Sequence, residues 1–226
     1  MIARRGVLGL MAGSTAVLLS GCGLMNNRAS YRFRMTVEVE TSNGLRAGSS
    51  VYEFIAAKNT MKLLADERSG GVLTRGEATI IELADGPVFV LLKTPVAGVD
   101  LGGEATDALL ATLPDGGDDY IAAINKLGGW FADPVSAELP REKWPLMVRF
   151  GDLNDPTSVK RIDPESLGVK RILLETTHDD VTVGLQDRLQ WLQNGGLSLD
   201  PGGSPTTSPT FAQTIYQSAF TSEIKR

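Results

Sequence analysis

YRFRMTVEVE, residues 31–40, is the stretch whose reading decides the fold. Tyr31, Phe33, Met35, Val37 and Val39 fall on one face of an extended chain, and Arg32, Arg34, Thr36, Glu38 and Glu40 fall on the other. Strict period-two alternation is the mark of a strand with one face in a core and one in water, the arrangement of antiparallel sheets. Thr41-Ser42-Asn43-Gly44 follows as turn chemistry, because Asn-Gly accepts positive φ. Residues 49–57 (SSVYEFIAA) can return as the second strand of a hairpin.

Working outward, residues 76–83 (GEATIIEL) and 87–94 (PVFVLLKT) flank Ala84-Asp85-Gly86 and predict a second hairpin. The run Val88 to Leu92 is apolar throughout, so that strand is expected to be buried on both faces. Two helices are predicted next. Residues 106–113 place Leu109, Leu110 and Leu113 on one side, and Pro114-Asp115-Gly116-Gly117 breaks the pattern. Asp118 or Asp119 then caps a helix with an apolar stripe of Tyr120, Ile121, Ile124 and Leu127, ended by a left-handed Gly128. Residues 146–150 (LMVRF) and 170–177 (KRILLETT) read as strands, 151–156 as a turn, Asp163-Pro164-Glu165 as a helix start, and 187–192 as a short helix or bend. The pattern of hairpins, then helices, then strands predicts an α+β domain. Its sheet is mainly antiparallel and built from hairpins, with a few short helices on one side.

The chain has 226 residues, a formal net charge of −5, one cysteine and one histidine. One cysteine forms no disulfide within the chain, and one Cys with one His falls short of a zinc site's four ligands. An acidic chain without a basic run argues against nucleic acid as a partner. The expected organisation is a leader over 1–21, a tether over 22–30, a globular domain over 31–194, a Gly/Pro/Ser/Thr-rich segment over 195–210, and a C-terminal segment over 211–226. The last carries Phe211, Ile215, Tyr216, Phe220 and Ile224, enough apolar surface to dock on the domain.

The leader carries Arg4 and Arg5 ahead of a neutral run of small and apolar residues, 6–20 (GVLGLMAGSTAVLLS). That is a charged region followed by a hydrophobic one, as in a secretory signal, and it is shorter than the about 20 apolar residues of a transmembrane helix. The run closes on Leu19-Ser20-Gly21-Cys22, which resembles the lipobox of bacterial lipoproteins. The resemblance implies that Cys22 is acylated and becomes the first residue of the mature chain. A buried free cysteine is the plainer alternative. Arg4-Arg5-Gly6-Val7-Leu8 also resembles a degenerate twin-arginine signal, and plain charge for the general secretory route fits equally. Loss of residues 1–21 leaves 205 residues and moves the net charge to −7, since Arg4 and Arg5 go with no acidic residue. Gly23, where the sorting rule of enteric bacteria retains Asp-bearing lipoproteins at the inner membrane, implies the outer membrane facing the periplasm. Residues 31–40, 45–51 (LRAGSSV) and 150–159 (FGDLNDPTSV) resemble uncharacterised envelope lipoproteins of Gram-negative bacteria, a family to which no activity attaches.

Chemistry-bearing sets are sparse. Residues 129–145 (GWFADPVSAELPREKWP) hold three prolines and two tryptophans, and stretches of this length are often functional. Trp130, Phe131 and Trp144 are expected to fold back and plug the sheet edge; as the rival reading, they line a site for a small apolar ligand. His178 in Thr177-His178-Asp179-Asp180 reads as an exposed turn residue, and no Gly-x-Ser-x-Gly elbow, P-loop or dinucleotide fingerprint is present. Asp115, Asp118 and Asp119, like Asp152 and Asp155, fit helix caps and Asx-turns better than a calcium loop. No catalytic residue, metal or cofactor is therefore assigned. The expectation is a lipid-anchored envelope protein that binds or scaffolds another envelope component. Its rivals are an envelope hydrolase, with 129–145 as a lid over Asp152, Asp155 or His178, and the apolar-ligand binder.

Overall fold

The computed structural model describes residues 27–58, 69–114, 119–194, 198–202 and 209–222. Cys22, the leader, most of the tether, Asp115, Asp118, Ile224 and parts of the Gly/Pro-rich segment lie outside them.

The architecture is α+β, with nine strands in two antiparallel sheets and a few short helices. The alternating segment is the centre of the larger sheet, whose order is β3-β2-β1-β9-β6. Strand β1 (Arg28–Thr41) pairs with β2 (Gly44–Lys58) from Arg28↔Ala57 to Thr41↔Gly44, so only Ser42 and Asn43 form the turn. Gly44 takes φ +96°, the conformation expected of Asn-Gly chemistry. Both strands are longer than the sequence predicted. The start of β1 covers Arg28 to Ser30, read as tether although the alternation continues through them, and the start of β2 is exposed on both faces, so it shows no alternation. Strand β3 (Ser69–Arg75, SGGVLTR) was not predicted, because two glycines and scattered polar residues hide its period. β9 (Val169–Thr176) pairs with β1 on its other side, and β6 (Ser136–Glu138) closes the edge.

The smaller sheet has the order β4-β5-β7-β8, from β4 (Thr79–Ile81), β5 (Val88–Val90), β7 (Met147–Phe150) and β8 (Val159–Ile162). The segments predicted as 76–83 and 87–94 contract to three paired residues each.

Helices α1 (Leu101–Leu110) and α2 (Tyr120–Gly128) follow. α1 starts five residues earlier than predicted, because Asp100 caps it by accepting from Gly103 N at 2.8 Å and the Gly102-Gly103 pair masks the first turn. Short helices α3 (Pro164–Leu167), α4 (Leu185–Arg188) and α5 (Phe211–Thr214) complete the set.

The apolar face of β1 is covered by two different partners. Toward its start, Tyr31 and Phe33 meet Tyr52, Phe54 and the buried residues of α1 and α2. Toward its end, Val37 and Val39 belong to the same core as Ile81, Val88, Val90 and Met147 of the smaller sheet. The opposite face of that sheet, with Phe89, Leu91, Val148 and Phe150, packs on Leu189, Trp191, Ile215 and Phe220. The Val88–Leu92 run is thus buried on both faces, as its composition predicts. The C-terminal residues are also hydrogen-bonded in place: Ala78 N donates to Phe220 O (2.7 Å) and Leu92 N to Ala219 O (2.8 Å). Among the described residues no helix is long and apolar enough to cross a membrane.

Candidate functional site

The first residues of β1, the last of β2 and β9 and the first of β3 and β6 meet at one end of the larger sheet, as the registers Arg28↔Ala57, Phe33↔Thr176, Lys58↔Ser69 and Ser136↔Glu175 require. α2 delivers the chain to this end. Asp119 Oδ1 caps it by accepting from Ile121 N (2.9 Å) and Ala122 N (3.2 Å), and Ile121, Ile124 and Leu127 are buried in the core shared with β1. Gly128 is needed for proximity rather than handedness. A Cβ there would lie 2.3 Å from Ser30 O, and the helix ends with Gly129 at φ −61°, ψ 130°, so the expected left-handed cap is absent. Residues 129–132 then form a β-turn closed by Ala132 N donating to Gly129 O at 3.0 Å. Trp130 and Phe131 occupy its tip. The far side is tied to the end of β9 by Val135 N to Thr176 Oγ1 (2.9 Å) and Thr176 N to Val135 O (2.8 Å).

The three loop aromatics part company. Trp144 is 5% exposed, donates Nε1–H to Leu139 O at 2.9 Å and carries the Arg141 guanidinium 5.4 Å above its ring. It folds back as expected. Trp130 is 76% exposed and Phe131 97% exposed, against that expectation. The reason is local: both residues sit at the tip of a tight turn, and β6 already fills the edge they were expected to plug. Trp130 and Trp144 line separate depressions, so no single apolar cavity lies beneath them. With β6 in its middle and a 3-10 turn at Arg141–Lys143, the 129–145 segment is built into the fold and does not have the form of a lid.

Trp130 leans on His178, with ring centroids 5.0 Å apart and planes at 39°. Together with Ser30, Arg32, Glu53, Gly128 and Thr177 they border an open depression of about 400 Å³. Its charges are paired: Arg32 reaches Glu53 (3.4 Å), Asp179 O (3.0 Å) and Asp180 (3.5 Å), and Arg34 bonds Asp179. Farther along the same outer face, Arg171 holds Glu38 through two bonds of 2.8 and 3.1 Å, which keeps that carboxyl below its ordinary range. In the core, burial pushes the Tyr31 and Tyr52 phenols up; each bonds a threonine, Thr106 and Thr79, at 2.8 Å.

Asp152, Asp155 and His178 are not brought together. Asp152 accepts from Asn154 N (2.9 Å) and Asp155 from Thr157 N (2.9 Å) in the turn between β7 and β8, while His178 follows β9 in the other sheet; all three are exposed. The aspartates are turn-formers, as their spacing suggested. Among the described residues no group of three or more His, Cys, Asp or Glu side chains is placed to hold a metal ion. A second open depression, about 430 Å³, lies at the opposite end of the larger sheet beside the β1–β2 turn, bordered by Glu40, Asn43, Arg46, Glu82, Asp85 and Ser166. Sequence reasoning missed it, because it joins three segments far apart in the chain.

No family model matches this chain, and no curated protein or solved structure matches it either.

Proposed function

We propose that this chain is a lipid-anchored envelope lipoprotein, held at the outer membrane facing the periplasm, whose domain binds or scaffolds another envelope component. The observation that carries the reading is the position of Cys22. It closes a charged-then-apolar leader, and the first strand begins only six residues later, at Arg28. Two or more acyl chains hold a protein on a bilayer stably, at about 0.8 kcal/mol per buried methylene. An acidic body contributes little to holding an anionic leaflet, so the anchor carries the attachment.

A short attachment at the start of β1 leaves the β1–β2 turn as the far end of the domain. β1 has 14 residues, so its two ends stand about 45 Å apart at about 3.4 Å per residue. The polar depression beside that turn, with Asn43 and Arg46 on its rim, is the face best presented to a partner across the periplasm.

Mass spectrometry of the mature N-terminus tests the anchor: the expected mass is that of a chain starting at acylated Cys22. Cys22→Ser should release the protein from the membrane fraction or leave its precursor uncleaved; a normally processed, membrane-bound mutant refutes the reading. Photo-crosslinkers at Asn43 and Arg46 in living cells test the second half. A reproducible adduct with one envelope component is expected, and repeated absence of any adduct counts against it.

A further inference from the structure

We infer that the Trp130–Phe131 turn is a second membrane contact, which seats the domain on the lipid surface that its anchor enters. The inference rests on the lipoprotein reading. It adds that one end of the domain lies against lipid instead of standing free on its tether.

Placement is the first argument. From Cys22 to Asn27 there are five residue steps, so the acylated residue lies within about 18 Å of the first described residue. Ser30 is three steps farther, about 10 Å along the strand, and α2 meets it so closely that only glycine fits at 128. The turn leaves α2 directly after that contact. Ser30, against which the base of the turn packs, is therefore within about 28 Å of the lipidated residue, at the same end of the sheet. The β1–β2 turn lies at the other end.

The chemistry of the tip is the second. Phe131 at 97% exposure and Trp130 at 76% are adjacent, and the backbone of a closed β-turn presents them together. Trp144 and Trp191 are 5% and 9% exposed, so the chain buries its other described tryptophans. An amphipathic indole with one N–H donor suits the headgroup layer, and a phenyl ring suits the acyl boundary just below it. Aromatic pairs of this kind give interfacial anchoring without spanning the bilayer.

Charge allows it. Asp179 and Asp180 at this end bond Arg34 and Arg32, and exposed Arg28 stands at the start of β1; Asp133 follows the tip on its outgoing side. A mature charge of −7 disfavours a strongly anionic leaflet, so the contact fits zwitterionic headgroups.

The test uses the acylated protein purified from membranes and reconstituted in phosphatidylcholine vesicles with brominated acyl chains. Bromine quenches indoles that enter the lipid. Trp130 emission should be lost in brominated vesicles and retained in plain ones. Trp130→Phe should abolish the quenchable share, because Trp144 and Trp191 stay buried. Phe131→Asp, at a position open to solvent, should restore Trp130 emission without changing the melting temperature. If the protein is acylated but Trp130 stays unquenched and open to aqueous iodide, the lipid contact is refuted and the anchor stands. If Trp130 is shielded in cells and crosslinks to a protein, the turn belongs to a protein interface and the inference fails. A mature chain without acyl groups on Cys22 overturns the lipoprotein reading, and the lipid contact falls with it.

Discussion

Gly48→Ala should destabilise the domain, although glycine-to-alanine changes in strands usually help. Gly48 sits on β2 opposite Val37, at the level where the smaller sheet crosses the larger one. A Cβ at this position would lie 2.1 Å from Ile80 O and 2.9 Å from Ile80 C, both backbone atoms of β4. Ordinary carbon–oxygen contacts are about 3.3–3.6 Å, so β4 would have to retreat by about 1.2 Å or more. β4 has little freedom to retreat, because Thr79 and Ile81 are locked to Val90 and Val88 and Ala78 N is bonded to Phe220 O. Overpacking of this kind costs about 1–3 kcal/mol, and a rigid backbone neighbour puts Gly48 at the upper end. The lost chain entropy of glycine in the unfolded state returns about 0.4–1 kcal/mol. The net loss is about 2 kcal/mol, or a melting temperature lower by about 4–8 °C for a domain of this size. Gly70→Ala on β3 is the control, since no atom lies within 4 Å of its Cβ position and its φ is not positive. It should leave the melting temperature unchanged or raise it slightly. Thermal melts followed by circular dichroism on the purified protein read both. If Gly48→Ala melts at or above the wild type, the two sheets are not packed through this glycine and the reasoning is refuted.

Four further outcomes follow from the buried hydroxyls and the cap. Tyr52→Phe strips Thr79 Oγ1 of its 2.8 Å partner in the core and should cost about 1–3 kcal/mol by urea titration. Tyr31→Phe should cost less, because Thr106 keeps its own 2.6 Å bond to Gly102 O. Burial raises both phenol pKa values, so the folded state holds these protons where the unfolded chain loses them. Their contribution is complete below about pH 10, the unfolded value, and stability falls as pH rises above it. The urea midpoint should therefore drop as pH rises above about 10, less steeply in Tyr52→Phe; a flat profile would contradict the assignment. Asp119→Ala removes the acceptor of two N–H groups at the start of α2 and should cost about 1 kcal/mol, with amide exchange faster in residues 120–124 than elsewhere.

Some of the molecule was legible because its signals are local. The alternation of residues 31–40 encodes a strand with one wet face whatever surrounds it, and Asn43-Gly44 encodes a turn through φ alone. Asp119, Asp155 and Asp163 were readable as caps for the same reason: a short carboxylate reaches the backbone two or three residues on. β3 and the first turn of α1 were not legible. Their glycines, Gly71 and Gly102, are chosen for closeness to Phe54, a residue far away in sequence, and proximity leaves no periodic trace.

The candidate site divides along the same line. The leader and Cys22 are read by residue type and order, so the proposal of a lipid attachment six residues before the first strand rests on the sequence alone. The fates of Trp130, Phe131 and Trp144 were beyond it, since all three are aromatic and lie within 15 residues of one another. Only the tertiary structure separates them: Trp144 finds a carbonyl partner and a core, whereas a closed turn after Gly128 holds Trp130 and Phe131 in water. Composition sets how much apolar surface a segment carries. Which part of it remains unburied depends on where β6 and α2 have already filled the sheet, and that is a property of the packed chain.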